Sequence, residues 1–252
     1  MKRLKRAAEN SSKWFDGENF TNGYTDVEFN EIANGFLCGD VFEHGVLTDI
    51  QKSLVILAAL TATGTYGVTQ KYALAALRAG ASANEIRETF IQCAPYVGLE
   101  KVNLSLKEAY AAFDKAGVSD TVTEQGTVDD DTRFEKGLAV QQEIFGTDNI
   151  NNMRGSAPQD LKHIQDYLSA YCFGDFYTRK TLDLKMRELI TFCAICSLGG
   201  CEPQAKAHAA ANISVGNTRE ILIDAITQCL PFIGFPRTLN AISCIDAVTV
   251  NN

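Results

Sequence analysis

The sequence contains no apolar run that approaches the roughly 20 residues required for a membrane-spanning helix. Positive charge is also in short supply, since 23 lysines and arginines face 31 aspartates and glutamates, for a formal net charge of −8. A chain this acidic is unsuited to nucleic acid or an anionic membrane as its main partner. The N-terminus is basic, but no apolar stretch follows it, so we do not expect a secretory signal.

Histidine is rare, with three residues in the chain. His44 and His163 lie on segments unrelated to the one that carries His208. Even with Cys201 and Glu188, His208 would offer at most three ligands of mixed type, which is a weak signal for a metal site. We therefore expect no metal and no cofactor.

The eight cysteines lie mostly within apolar helical patterns, as Cys93, Cys229 and Cys244 do. This placement is typical of reduced thiols that pack as small hydrophobes in a cytoplasmic protein. Cys193 and Cys196 form a CxxC, but inside an apolar helical stretch, whereas a redox-active CxxC normally lies at an exposed helix start. We interpret this pair as part of the core and expect a cytoplasmic location.

Alternating patterns typical of β-strands are scarce, while helical periodicity runs through most of the chain, so the sequence predicts an all-α fold. Residues 82–85 and 217–220 resemble capping boxes, in which a side chain at the helix start and one three residues later bond each other's backbone. Pro95 and Gly98 are expected to break the helix that begins after Ser82.

One seven-residue sequence motif occurs twice, 136 positions apart. Residues 92–98 (Gln-Cys-Ala-Pro-Tyr-Val-Gly) match residues 228–234 (Gln-Cys-Leu-Pro-Phe-Ile-Gly), and the pair Gly39-Asp40 recurs as Gly174-Asp175. Solenoid repeats have periods of roughly 20 to 50 residues, so this spacing indicates a duplicated domain.

The length of 252 residues also fits two domains, each large enough for its own core at about 100 to 200 residues per domain. We place the first domain at residues 1–116 and the second at 132–252. Residues 117–131 form a polar linker that ends in three aspartates, which we expect to be solvated.

The duplication provides an internal control, because a polar residue present in only one copy is not required by the fold. With an offset of 135 before the central turn and 136 after it, four polar residues of the second copy lack a counterpart: Glu188 opposes Ser53, His208 opposes Tyr72, Gln204 opposes Val68, and Cys201 opposes the region around Thr65. These four residues are the candidates for chemistry.

Their spacing suggests how they could work together. Gln204 and His208 are four residues apart on one helix and share a face. Cys201 precedes Pro203 at the start of that helix, where unpaired N–H groups and the helix dipole favour a thiolate. If the chain reverses at Gly199-Gly200, Glu188 can face His208 and form an acid–base pair. The alternative is that His208 is a satisfied core or interface residue.

The ordered set of motifs resembles the carboxymuconolactone decarboxylase family, which includes the alkylhydroperoxidase D-like proteins. The match is strongest over residues 130–248 and looser over 29–112. The segments that carry it are residues 133–137, 145–146, 174–179, 187–189 and 228–236, together with Leu182, His208 and Gly216. The resemblance implies two tandem alkylhydroperoxidase D-like helical domains that form a pseudo-dimer. Because the family usually assembles as trimers or hexamers of single domains, it also implies a trimer of tandem chains.

The family has two chemistries. Its alkylhydroperoxidase D-like members use a Glu, a CxxC and a His, which would correspond to Glu188, Cys201 and His208, but Gln204 stands at the second cysteine. The decarboxylase branch needs no cysteine pair. The resemblance therefore implies a decarboxylase-like enzyme acting on a small carboxylated or lactone-like substrate, with His208 as proton donor and Glu188 orienting it.

Three further readings remain open at this stage. Arg179 or Arg187 could bind a substrate carboxylate, with Gln204 as a further substrate contact, although either arginine could equally form an ion pair between helices. Cys201 could act alone as a one-thiol peroxidase. The chain could also be a helical scaffold or ligand-binding protein without catalytic activity.

Overall fold

The computed structural model describes residues 2–16 and 26–250, and within them we find helices and no β-strand, which confirms the all-α prediction. None of these helices combines the length and apolar character needed to cross a membrane. The α-helices, with two π-helical segments, are α1 (Arg3–Phe15), α2 (Val27–Asn34), π1 (Gly35–Val41), α3 (Asp49–Thr63), α4 (Thr69–Arg78), α5 (Ala83–Val97), α6 (Leu99–Ala116), α7 (Arg133–Phe145), α8 (Thr147–Ser156), α9 (Lys162–Tyr167), π2 (Leu168–Tyr177), α10 (Leu184–Leu198), α11 (Glu202–Ser214) and α12 (Arg219–Thr249).

The helix starts largely follow their capping signals. The Ser82 hydroxyl accepts from the backbone N–H of Glu85, and the Glu85 carboxylate accepts from that of Ser82, which confirms the first capping box. At the start of α12 the cap is Thr218, whose hydroxyl accepts from the N–H of Ile221. The second capping box, expected from Asn217 and Glu220, is therefore wrong, because Thr218 caps α12 and Ile221 has no side-chain acceptor to complete a box.

Glycine rather than proline interrupts the helix in each copy of the repeated motif. Helix α5 continues through Pro95 and ends at Gly98, whose φ is 92°. In the second copy Pro231 is likewise helical, and α12 bends at Gly234, where φ is 76°. Glycine adopts positive φ without a steric cost. The expected break at Pro95 is therefore wrong, whereas the one at Gly98 is confirmed, since α5 ends there.

The repeated Gly-Asp pair lies where the opening helix of each half crosses a π-helical segment. A Cβ on Gly174 would overlap the backbone oxygen of Arg133, so only glycine lets α7 pack this closely on π2. The next residue, Asp175, accepts from Arg133 Nε at 2.8 Å. In the first half Asp40 lies 2.7 Å from Arg3 Nε, which repeats the arrangement. The pair thus fixes one helix crossing in each half.

The two halves pack as a pseudo-dimer around α3 and α10, which are buried along nearly their whole length. Leu54 and Ile56 of α3 belong to the same continuous hydrophobic cluster as Leu189 and Phe192 of α10. The expectation of a separate core for each domain is therefore wrong. The main core is shared, because these two helices are too apolar to leave either face in water.

The segment expected to be a linker is attached to both halves, since its Thr123 bonds to Asn84 of α5 and its Gln125 to the second half. Gln125 is buried, and its side-chain oxygen accepts from the Thr181 hydroxyl at 2.7 Å. Its backbone oxygen accepts from the N–H of Lys180 at 3.1 Å. The three aspartates at 129–131 are exposed, as predicted. The domain limits at residues 116 and 132 remain a prediction.

Candidate functional site

Two helices of the second half bring a carboxylate and an imidazole together. The chain reverses between α10 and α11 at Gly199 and Gly200, both of which have positive φ. Glu188 Oε2 then lies 2.7 Å from His208 Nδ1, the contact that the spacing predicts. Glu188 is fully buried, whereas His208 keeps 8% of its surface exposed. The result is a shielded acid–base pair with one edge near solvent.

The His208 ring is held from several directions. The rings of Tyr96 and Phe145 meet it edge-on, with centroids 5.4 and 5.5 Å away. The Asn212 side chain donates to the backbone oxygens of Glu188, at 2.9 Å, and of His208, at 2.8 Å, which ties α11 to α10. Within the described part of the chain the ring Nε2 has no hydrogen-bond partner. That atom is therefore the one left for a ligand.

A tyrosine hydroxyl is hydrogen-bonded to the other oxygen of the Glu188 carboxylate. The Tyr177 hydroxyl donates to Glu188 Oε1 at 2.8 Å, and it also lies 3.1 Å from Thr191 Oγ1 and 2.9 Å from the Tyr96 hydroxyl. Burial raises the pKa of Tyr177 and of Tyr96 well above the usual value for a phenol. Both hydroxyls therefore stay protonated at neutral pH and are available as donors.

Tyr96 belongs to α5, so the site contains a residue from the first half. The sequence pattern predicts the whole site in the second copy and does not single out Tyr96 or Tyr177. A signal was present, because Tyr96 opposes Phe232 and Tyr177 opposes Phe42 in the repeat. Each difference is a single hydroxyl on an aromatic ring, which is easily overlooked beside a change from Tyr72 to histidine.

Cys201 and Gln204 stand apart from the acid–base pair. Cys201 is partly exposed at the start of α11 and lines a small cavity with Cys196, Arg237 and Cys244. Its described hydrogen bond runs to the backbone oxygen of Gly199, at 3.6 Å. Gln204 is exposed, one helical turn before His208. The structure thus joins Glu188 to His208 and places Cys201 at a cavity that neither of them lines.

The two candidate arginines are engaged within the protein. Arg179 binds Glu88 with two hydrogen bonds, of 2.8 and 2.9 Å. Arg187 is fully buried and donates to Gln92 Oε1 and to the backbone oxygens of residues 179, 180 and 182. Burial lowers the pKa of Arg187 to about 10. The ion-pair alternative fits both residues, because both guanidinium groups lie against Glu88.

The CxxC is part of the core, as interpreted from the sequence. Cys193 and Cys196 are buried in α10, and burial raises the pKa of both thiols well above its usual value. Thiols of this kind are poor nucleophiles. Among the residues that the structure describes, no group of three or more His, Cys, Asp or Glu side chains is arranged to hold a metal ion.

Comparison with known proteins gives a consistent assignment. The sequence profile of the carboxymuconolactone decarboxylase family matches residues 28–111 and again 162–247, which together exceed half of the chain. A curated relative, the 4-carboxymuconolactone decarboxylase of Acinetobacter baylyi, is 25% identical over 121 residues, or 48% of this chain and 90% of the relative. The two matches agree with the internal duplication and with the paired helical halves. The chain therefore belongs to the carboxymuconolactone decarboxylase family and carries two copies of the family domain in tandem.

Proposed function

We propose that this protein is a decarboxylase-like enzyme that acts on a small carboxylated or lactone-like compound by proton transfer from His208. The observation that carries the proposal is the 2.7 Å contact between Glu188 and His208 at a shielded position with one edge near solvent. The similarity to the Acinetobacter baylyi decarboxylase supports the same reaction class.

The reaction consumes one proton. Cleavage of the bond to the carboxylate releases CO₂ and leaves its electron pair delocalised into a neighbouring carbonyl as an enolate or dienolate. His208 in its protonated form donates a proton from Nε2 to carbon, and solvent then restores the imidazolium. Glu188 holds the Nδ1 proton and therefore keeps the reacting nitrogen turned toward the substrate.

The arrangement of the thiols favours this reading over a one-thiol peroxidase. In the peroxidase branch that the family resemblance implies, the Glu and His work together with a pair of cysteines. Cys201 lines a cavity separate from the Glu188–His208 pair, and the position of a second redox cysteine is occupied by Gln204. The acid–base pair therefore has the better geometric support.

The test is an activity assay with a matched pair of variants. Wild type, His208→Ala and His163→Ala are assayed for CO₂ release from γ-carboxymuconolactone and related acids. His163 is an exposed histidine on α9 and controls for loss of an imidazole. We expect His208→Ala to lose about 100-fold or more in kcat, in the range of general acid catalysis, and His163→Ala to match wild type. Equal activity or equal inactivity of all three proteins overturns the proposal.

We also propose the homotrimer that the family resemblance implies. Leu99, Phe235 and Leu239 are each more than half exposed, which supports a further apolar interface. Light scattering should give about three times the chain mass of 27.5 kDa. A mass equal to one chain contradicts the assembly.

A further inference from the structure

The hydroxyl groups behind Glu188 form a chain that crosses from one half of the protein to the other. Tyr177 donates to Glu188 Oε1, so its oxygen can accept from the Tyr96 hydroxyl at 2.9 Å. The Tyr96 oxygen in turn accepts from the Cys172 thiol at 3.5 Å. Burial raises the pKa of Cys172 to about 12, so the thiol keeps its proton. All of these donors therefore point toward the carboxylate.

A second branch reaches the same tyrosine. The Gln92 amide donates to Thr191 Oγ1 at 3.2 Å, and the Thr191 hydroxyl lies 3.1 Å from that of Tyr177. Arg187 Nη1 donates to Gln92 Oε1 at 2.8 Å. Gln92, like Tyr96, comes from α5 of the first half. Buried hydrogen bonds in series polarise one another, so the first half influences the carboxylate through both branches.

The repeat shows that the fold does not require these donors. The hydroxyl and thiol groups of this hydrogen-bond network have apolar residues at the equivalent positions around Tyr72. Cys172 opposes Leu37, Tyr177 opposes Phe42, Tyr96 opposes Phe232, and Thr191 opposes Ile56. The ring geometry is nevertheless the same. Phe232 meets Tyr72 edge-on at 5.3 Å, as Tyr96 meets His208 at 5.4 Å. The fold needs an aromatic ring at position 96, and the hydroxyl serves something else.

We propose that Tyr96 is a positioning residue for the Glu188–His208 pair, supplied across the pseudo-dimer by the half that lacks a pair of its own. This inference rests on the proposed function. The Tyr96 hydroxyl orients the Tyr177 hydroxyl, which stabilises the ionised form of Glu188. The ionised carboxylate in turn holds the Nδ1 proton of His208. The tandem arrangement then has a chemical purpose, because the second half alone lacks Tyr96, the link between Cys172 and Tyr177 in the donor chain.

Several groups bear on any pH measurement at this site. The titratable groups that face Glu188 are His208 from α11, Tyr177 from π2 and, one step further, Tyr96 from α5 and Cys172 from π2. Cys229 of α12 faces Cys193 instead, and the charged Arg187 of α10 interacts electrostatically with Tyr177. A change confined to the Tyr96 hydroxyl removes only the branch through Tyr96 and leaves the branch through Gln92 and Thr191 in place.

The first test removes the hydroxyl and leaves the ring. Tyr96→Phe is compared with wild type and with Tyr110→Phe, which alters an exposed tyrosine of α6. The ring resonances of His208 are followed by NMR across pH, with no substrate present. A carboxylate that loses a supporting donor binds a proton more readily. We therefore expect the lower titration step of the pair to move to higher pH by about a few tenths of a unit in Tyr96→Phe, and not in Tyr110→Phe.

A second variant and a kinetic readout complete the test. Cys172→Ala should move the same step in the same direction by a smaller amount, because it lies one bond further from Glu188. In turnover assays Tyr96→Phe should lower kcat about 3- to 10-fold, with KM changed less than about 2-fold. Identical titrations of His208 in wild type and Tyr96→Phe overturn the inference, whatever the activity. Absence of any turnover by wild type would instead contradict the proposed function and leave the NMR result to decide on Tyr96.

Discussion

The hydroxyl of Tyr96, in the first half, lies 2.9 Å from the hydroxyl of Tyr177, in the second, and Tyr177 donates to Glu188. One contact thus links α5 of one half to the buried carboxylate of the other. The reciprocal position in the pseudo-dimer is Phe232, which packs on Tyr72 and carries no hydroxyl. The two halves share an architecture, while the polar groups have been retained or acquired around only one of the two equivalent positions.

Glu188→Gln tests the role of the carboxylate. Glutamine keeps the size of the side chain but cannot stabilise a protonated imidazole, so we expect kcat to fall about 100-fold or more. Steady-state kinetics measures the change, and circular dichroism checks the fold. Glu135→Gln, at an exposed position of α7, should behave as wild type. Full activity of Glu188→Gln would show that the reaction does not need the carboxylate.

Tyr177→Phe should lower both stability and activity. The change leaves Glu188 Oε1 buried without its donor, which costs about 1 to 3 kcal/mol of unfolding free energy. Urea denaturation measures this value, and Tyr171→Phe in the same π-helical segment is the control. Phe42 at the equivalent position shows that the fold accepts the ring without the hydroxyl. A stability equal to that of wild type would show that the hydrogen bond contributes nothing.

Glu88→Gln should be among the most destabilising single changes to a polar residue. Glu88 is fully buried and pairs with Arg179 at 2.8 Å and with Arg187 at 3.7 Å, and Arg187 is itself fully buried. Removing one partner of a buried pair costs about 3 to 5 kcal/mol. Asp166→Asn is the matched control, because its pair with Arg154 is half exposed and is worth at most about 1 kcal/mol. Equal effects of the two changes would contradict the buried network.

Two glycine substitutions should change the free energy of unfolding in opposite directions. Gly174→Ala places a methyl group against the backbone oxygen of Arg133 and should destabilise the protein by about 1 to 3 kcal/mol or more. Gly155→Ala lies within α8 with open space around it and should stabilise by about 0.5 to 1 kcal/mol. Thermal or urea unfolding separates the two. Stabilisation by Gly174→Ala would rule out the close crossing of α7 and π2.

Stability should fall in alkaline solution. Burial raises the pKa of the Cys38, Cys93 and Cys172 thiols from 9.0 to about 12. In the unfolded chain these thiols lose their protons near pH 9, whereas in the native protein they keep them until about pH 12, so deprotonation favours unfolding between these values. Urea unfolding at about pH 8 and about pH 10.5 should show a lower free energy at the higher pH. An unchanged or higher value would contradict the burial of these thiols.

The sequence was sufficient for contacts formed within one helical hairpin. The approach of Glu188 to His208 could be predicted because Gly199 and Gly200 force α10 and α11 to pack against each other. Contacts between distant segments could not. Tyr96 and Tyr177 are 81 positions apart, and Arg179 and Glu88 are 91 apart. Periodicity does not report such distances, so the two arginines looked available for substrate.

The internal repeat led to a wrong prediction about the core and to a useful one about the candidate site. Two copies of a motif suggested two independent cores, but α3 and α10 are apolar on every side and therefore bury against each other in a shared core. The same comparison singled out Glu188 and His208, whose side chains the structure brings within 2.7 Å of each other. Applied at the level of single hydroxyls, it would also have identified Tyr96.

The central claim is that His208 delivers a proton to carbon after CO₂ has left. The most direct measurement is turnover of γ-carboxymuconolactone or a related acid in D₂O, with the product examined by mass spectrometry and NMR. The account predicts one deuterium at carbon for each CO₂ released by wild type and by His163→Ala, and loss of the reaction in His208→Ala. CO₂ release that continues unchanged in His208→Ala, or no release by wild type from any of these acids, would contradict it.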